Sequence, residues 1–215
     1  MAARGESVTE PLLSILIPGL ISRRSYYVPR ILDQLQPQVD RHPEVELSVL
    51  LETRTRSIGA ARNALMDTAR GRYLAFVDDD DQVSARYVSS ILDAIRAHPG
   101  VDVVTFDILK AVDGISLPMT ISAPWIWHVW RAELARRVRY PDSSYAEDYE
   151  WTQRIRPLIE TQARIDETLY FAQMSYTWSE SQRPRGWRGW VYRRLHAGMK
   201  LVNDSHTAYL RGTRP

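Results

Sequence analysis

Cysteine is absent from the 215 residues, which excludes disulfides, thiolate metal ligands and a cysteine nucleophile, and leaves nothing that demands an oxidising compartment. Lysine is nearly absent as well: only Lys110 and Lys200 contribute to the 28 basic residues, so the cations are almost all guanidinium forks suited to phosphate. No apolar run reaches the ~20 residues a membrane span requires. The longest largely apolar stretch, residues 12–21, follows Glu6 and Glu10 rather than a basic flank, unlike a secretory signal, so the expected location is cytoplasmic. Apolar residues make up 44% and charged residues 25%, ordinary for one folded domain with a core.

The net charge of +2 is unevenly spread. Residues 181–215 carry Arg183, Arg185, Arg188, Arg193, Arg194, Lys200, Arg211 and Arg214 against Asp204 alone. In this tail Trp187, Trp190, Val191, Leu195, Gly198 and Val202 share one helical face, which predicts an amphipathic helix. It suits packing on the domain, or peripheral contact with an anionic membrane, such as the inner membrane face, or with nucleic acid.

Residues 1–11 read as a flexible leader. Residues 12–17 and 45–51 are continuous apolar runs of the kind buried parallel strands show, and 73–77 and 101–106 predict two more strands. Between them, Val28, Ile31, Leu32 and Leu35 recur at helical spacing up to Pro37. Ser57 is placed to cap a helix closed by Gly71, and Ser84 to cap a helix stopped by Pro99 and Gly100. Strand and helix alternate as in a parallel or mixed sheet flanked by helices, which binds ligands beyond the carboxyl ends of its strands. Asp113-Gly114 predicts a turn, and residues 132–138 and 148–159 predict helices.

The third strand delivers Asp78, Asp79, Asp80 and Asp81 to that edge. Adjacent carboxylates in a partly dry site repel unless neutralised, and hard divalent ions such as Mg²⁺ or Mn²⁺ take oxygen ligands. A solvated acidic loop meeting the next helix dipole is the other reading of the same residues. A second acidic group, Glu147-Asp148, opens a predicted helix, where first-turn carboxylates are favourable in any case.

Residues 59–81, containing Ala61-Arg62-Asn63, Ala69, Gly71, Tyr73, Phe76, Asp78, Asp80 and Asp81, closely resemble the signature of family 2 glycosyltransferases. The resemblance covers residues 12–110 well and 125–181 loosely, and is to compact bacterial or bacteriophage members. It implies a GT-A fold over residues 12–180, with a nucleotide-sugar half at 12–110 and an acceptor half at 111–180. It also implies a metal-dependent, inverting, hexosyltransferase-like activity on a nucleoside diphosphate sugar, UDP-sugar foremost. On this resemblance Asp78 and Asp80 form the D-x-D pair, with Mn²⁺ or Mg²⁺ on Asp80 and Asp78. Pro18, Glu52, Arg56, Arg62, Asp78 and Asp79 face the donor, and Asp148, with Glu147 beside it, supplies the catalytic base. Gly19-Leu20-Ile21 and Glu52-Thr53-Arg54 depart from the family's Thr-Tyr-Asn and Asp-Asp-Gly-Ser.

Trp127, His128 and Trp151 are expected acceptor contacts, since aromatic faces stack on sugar rings, although clustered tryptophans also build cores. The acceptor classes in view are a glycan, a lipid carrier and a hydroxymethylated DNA base. Two other classes compete. Asp79-Asp80-Asp81-Gln82-Val83 fits the D-x-D-x-[TV] pattern of haloacid-dehalogenase-like phosphohydrolases, and a non-catalytic sugar- or nucleic-acid-binding domain would share the fold.

Overall fold

The computed structural model describes residues 10–112 and 115–174. The expected leader, the Asp113-Gly114 turn and the basic amphipathic tail lie outside the described residues. The chain runs β1 (Leu13–Leu20), α1 (Tyr27–Val39), β2 (Val45–Glu52), α2 (Ile58–Thr68), β3 (Tyr73–Phe76), β4 (Gln82–Val83) and α3 (Tyr87–Ala97). It continues through β5 (Val103–Val112), β6 (Ile115–Ile121), β7 (Val129–Arg131), α4 (Ala132–Arg136), α5 (Glu147–Ile155) and β8 (Gln162–Met174).

The sheet order is β2-β1-β3-β7-β5-β8-β4, with β6 pairing β5. β1 pairs in parallel with β2 and β3, and β5 with β8, so the sheet is mixed. The strand-helix alternation of the first half is that of long strands laid side by side in parallel. Instead the three-residue β7 intervenes, antiparallel to both β3 and β5. That double reversal leaves β5 running with β3, so β1, β2, β3, β5 and β8 all point their carboxyl ends the same way. Two groups of helices flank the sheet, α1 with α3 and α2 with α4 and α5.

Several predicted ends shift for local reasons. Pro37 lies inside α1 rather than ending it. The Gln38 amide binds this stretch to α3, donating to the Gln34 and Ser84 carbonyls and accepting from the Val88 N–H. Ser57 caps α2, accepting from Ala60 N–H at 3.1 Å. Ser84 is not the cap of α3: its hydroxyl accepts from the N–H of Arg86, the residue immediately before the helix, and no side chain caps the first turn. Gly100, at φ 81°, takes the left-handed turn after α3 that favours glycine. Gly71 serves another end: a Cβ there would lie 2.4 Å from Ser14 Oγ, so glycine permits the close approach to β1.

The same helix α2 is stitched to the segment before α5. Asn63 donates to the Tyr140 carbonyl at 2.9 Å and accepts from its N–H at 3.0 Å. Gly59 N–H reaches the Ser143 carbonyl at 3.0 Å, and a Cβ on Gly59 would stand 1.9 Å from the Pro141 carbonyl oxygen. Ile58 N–H and Ser57 Oγ meet Ser144 and Asp142. The amides that open α2 are therefore occupied by this loop, which brings Glu147 and Asp148 to the same sheet edge as the aspartate run.

Candidate active site

A cleft of about 480 Å³ opens at the carboxyl ends of the codirectional strands. Pro18, Glu52, Arg56, Arg62, Asp78, Asp79, Asp80, Trp127, Glu147 and Asp148 all line it, although they come from sequence segments up to 130 residues apart, 148 minus 18. His128 and Trp151 are not on its walls.

Asp78 is held on both oxygens. Oδ1 accepts from Arg62 Nη2 at 2.8 Å and Oδ2 from Trp127 Nε1 at 2.9 Å. Its N–H donates to the Tyr170 hydroxyl at 3.0 Å, and that hydroxyl donates to Asp81 Oδ2 at 2.6 Å. Asp81 also accepts from Gln173 N–H at 2.7 Å and is buried. Burial, followed by the charges of Asp80 and Asp78, pushes the Asp81 carboxyl well above the usual range. Asp81 thus ties the loop to β8 and does not line the cleft. The dehalogenase pattern needs a reactive Asp79-x-Asp81 pair, and this burial removes one half of it.

Arg62 joins the aspartate loop to the start of α5. It is only 4% exposed, lies between the Phe76 and Tyr140 rings at 5.4 and 5.9 Å, and meets Asp78 at 2.8 Å and Glu147 at 3.7 Å. Burial works against its charge, but Asp78, Tyr140 and Glu147 outweigh it and raise its pKa further. Glu147 is buried, and desolvation raises its pKa although Arg62 pulls the other way. Asp148 is half-buried and accepts from its neighbour Tyr149 N–H at 2.7 Å. The residue that launches α5, Ala146, sits at φ 56°, left-handed for a side chain that rarely goes there. Arg54, also in the cleft wall, sits at φ 71°. Such strain collects where surrounding structure fixes a functional loop.

His128 is fully buried, so its expected acceptor contact is replaced by a core role. Its Nδ1 accepts from Trp125 N–H at 2.9 Å, which leaves Nε2–H to donate to the Phe106 carbonyl at 2.9 Å. Burial lowers its pKa to about 4. The unfolded chain protonates near pH 6.5 while the folded chain does not, so stability is full above pH 6.5 and is lost as pH falls toward 4. Nuclear magnetic resonance at pH 6 should therefore show a neutral His128 with the proton on Nε2, and the melting temperature should drop between pH 6.5 and 4. Trp151 is likewise core: it stacks on Tyr140 with centroids 4.8 Å apart and donates to the Val138 carbonyl. Trp127 alone of the three reaches the cleft, stacked on Tyr170 at 5.3 Å.

The family description "Glycosyl transferase family 2" matches residues 27–158, more than half of the chain. The chain belongs to glycosyl transferase family 2. Its fold agrees with solved transferases of the GT-A type. S. aureus TarS 1–349 in complex with UDP-GlcNAc superposes with a TM-score of 0.59 at 17% identity, over 75% of this chain and 58% of that one. The UDP complex of the same protein gives 0.59 at 18%, over 76% and 61%. The longer TarS structure gives 0.58 at 17%, over 76% of this chain and 37% of that one. This family 2 chain therefore spans about two fifths to three fifths of the TarS chains it matches. No curated protein matches its sequence.

Within Ala61-Arg62-Asn63, Arg62 faces the cleft carboxylates and Asn63 clamps the loop before α5 through the Tyr140 backbone. Three contributors escaped the sequence. Tyr170, in β8, contacts the aspartate loop through Asp78 N–H and Asp81. Ser143 and Ser144 show no motif at all. Among the described residues no three His, Asp or Glu side chains converge as a metal cage. Divalent ions at phosphate sites need no such cage, since one or two carboxylates plus substrate phosphates and water suffice. Asp80 lines the cleft wall and offers the oxygen chemistry such an ion takes, and Asp78, also in the wall, accepts from Arg62 and Trp127. No helix among the described residues is long and apolar enough to cross a membrane.

Proposed function

We propose that this cleft transfers a hexosyl group, with inversion, from a nucleoside diphosphate sugar to an acceptor hydroxyl. The observation that carries the reading is the convergence on one cleft of the D-x-D loop and Asp148, bridged by Arg62 between Asp78 and Glu147. The donor lies along Pro18, Glu52, Arg56 and Asp79, and UDP is its first candidate nucleotide, supported by a chain of the same fold solved with UDP-GlcNAc. A Mn²⁺ or Mg²⁺ ion at Asp80, when bound, stabilises charge on the departing diphosphate.

Asp148 accepts the proton of the attacking hydroxyl. The acceptor oxygen forms its bond to the anomeric carbon as the bond from that carbon to the diphosphate breaks, and the diphosphate leaves with the electron pair. Glu147, buried against Arg62, keeps the α5 end in register with Asp78. Trp127, anchored on Asp78, floors the acceptor side. The protein is expected to act in the cytoplasm, at the inner membrane face if its tail engages lipid. Incubation with a panel of nucleotide sugars should release free nucleoside diphosphate from one or two of them and transfer the sugar with inverted anomeric configuration. Retention of configuration would remove the single-base mechanism.

A further inference from the structure

The geometry points to an uncharged pyranosyl unit of a glycan as the acceptor, stacked on an aromatic rim formed by Trp125, Tyr145 and Tyr149. This inference rests on the transferase reading above and narrows it.

Large apolar side chains in the open are few among the described residues, and two of them flank Asp148: Tyr145 is 67% and Tyr149 55% exposed. Tyr149 is not isolated. Tyr149 lies 6.3 Å from Trp125, Trp125 lies 6.4 Å from Trp127, and Trp127 stacks on Tyr170, so rings run continuously from the aspartate loop to the lip. The loop bearing Tyr145 is held in place, because Ser143 Oγ both accepts from its N–H and donates to its carbonyl, at 3.0 Å each. Ala146, strained, follows it. An exposed aromatic shelf on a fixed loop beside the base is a platform for a flat, weakly polar face.

Sugar rings and nucleobases both stack on such a shelf. Charge decides between them. Of the three carboxylates in the first turn of α5, Glu147 is buried on Arg62 and Glu150 pairs with Arg154, which leaves Asp148 as the one that brings net negative charge to the cleft wall. The nearby arginines are engaged: Arg154 with Glu150 and the Arg139 carbonyl, Arg156 with the Pro124 carbonyl and the Trp125 ring. The remaining cleft cations, Arg54, Arg56 and Lys110, come from the β2–α2 connection and from β5. DNA and phosphorylated lipid carriers bring phosphates, whose binding depends on cations along the contact. At this rim they would meet the Asp148 carboxylate and already paired arginines, whereas pyranoside hydroxyls donate to a carboxylate readily.

The test titrates the full chain against an array of neutral pyranosyl oligosaccharides, a hydroxymethylcytosine duplex and vesicles containing polyprenyl phosphate. Wild type should bind neutral glycans, and Tyr145→Ala and Tyr149→Ala should each weaken this by about five- to tenfold. Tyr26→Ala, 60% exposed and outside the cleft, should change nothing. The inference is overturned if no neutral glycan binds, if the two cleft tyrosines prove indifferent to glycan binding, or if they govern capture of the duplex or the vesicles instead. Glycan binding without nucleotide-sugar turnover would uphold the rim and sink the transferase reading. Turnover onto phosphate-bearing acceptors alone would do the reverse.

Discussion

Asp148→Asn should reduce sugar transfer by about 10²- to 10⁴-fold while leaving donor affinity within a factor of two or so, the range expected when a positioned general base is neutralised. The substitution is isosteric, and Asp148 is only half-buried, its carboxylate accepting from the adjacent Tyr149 N–H. An asparagine oxygen can keep that bond, so the fold should not respond. Single-turnover kinetics with the preferred nucleotide sugar separates the two quantities. Transfer within tenfold of wild type would remove Asp148 as the base and turn attention to Glu147, the neighbouring cleft carboxylate, whose pKa desolvation raises although it sits beside Arg62.

Arg62→Met carries the other large effect, and it falls on stability as well as on activity. Methionine keeps much of the volume between the Phe76 and Tyr140 rings but leaves Asp78 and Glu147 without their shared cation. Breaking one side of a buried ionic group costs about 3–5 kcal/mol, because the remaining charges stay desolvated. The pH dependence follows from Glu147. Its folded pKa already lies above the ordinary carboxylate value through desolvation, and losing Arg62 raises it further. A raised folded pKa means stability is present below the unfolded value and is lost as pH rises. The melting-temperature gap between wild type and Arg62→Met should therefore widen from pH 5 to pH 8. A gap that stayed constant across this range would mean that Arg62 acts by packing alone.

The first half of this chain was legible because its signals are local. Apolar runs at β1, β2 and β3, the Ser57 cap and the aspartates after Phe76 each report on neighbours a few residues away. The D-x-D loop and Glu147-Asp148 could be paired through the family resemblance, and the structure places both on one cleft. What the residues did not disclose depends on distant partners. A three-residue strand such as β7 has no period to detect, and its place between β3 and β5 is decided by pairing across the sheet. Pro37 looks like a stop unless one knows that Gln38 ties the same stretch to α3.

His128 shows the limit from the other side. In sequence it stands among tryptophans near an acidic motif and reads as an acceptor contact, yet its two ring nitrogens are spent on Trp125 and Phe106 in the core. Tyr145 and Tyr149 carried no motif and are the residues left open beside Asp148. Burial sorted these aromatics, and burial is a property of the assembled sheet rather than of any window of sequence.

The central claim is that a divalent ion at Asp80 holds the pyrophosphate of a sugar nucleotide in this cleft. Isothermal titration of UDP and GDP sugars into wild type and Asp80→Asn, with Mn²⁺ and with chelator, tests it most directly. The account predicts binding by wild type that needs the ion and weakens at least tenfold in Asp80→Asn, a loss of about 1.4 kcal/mol or more. Equal affinity with and without the ion, or in both proteins, would contradict it.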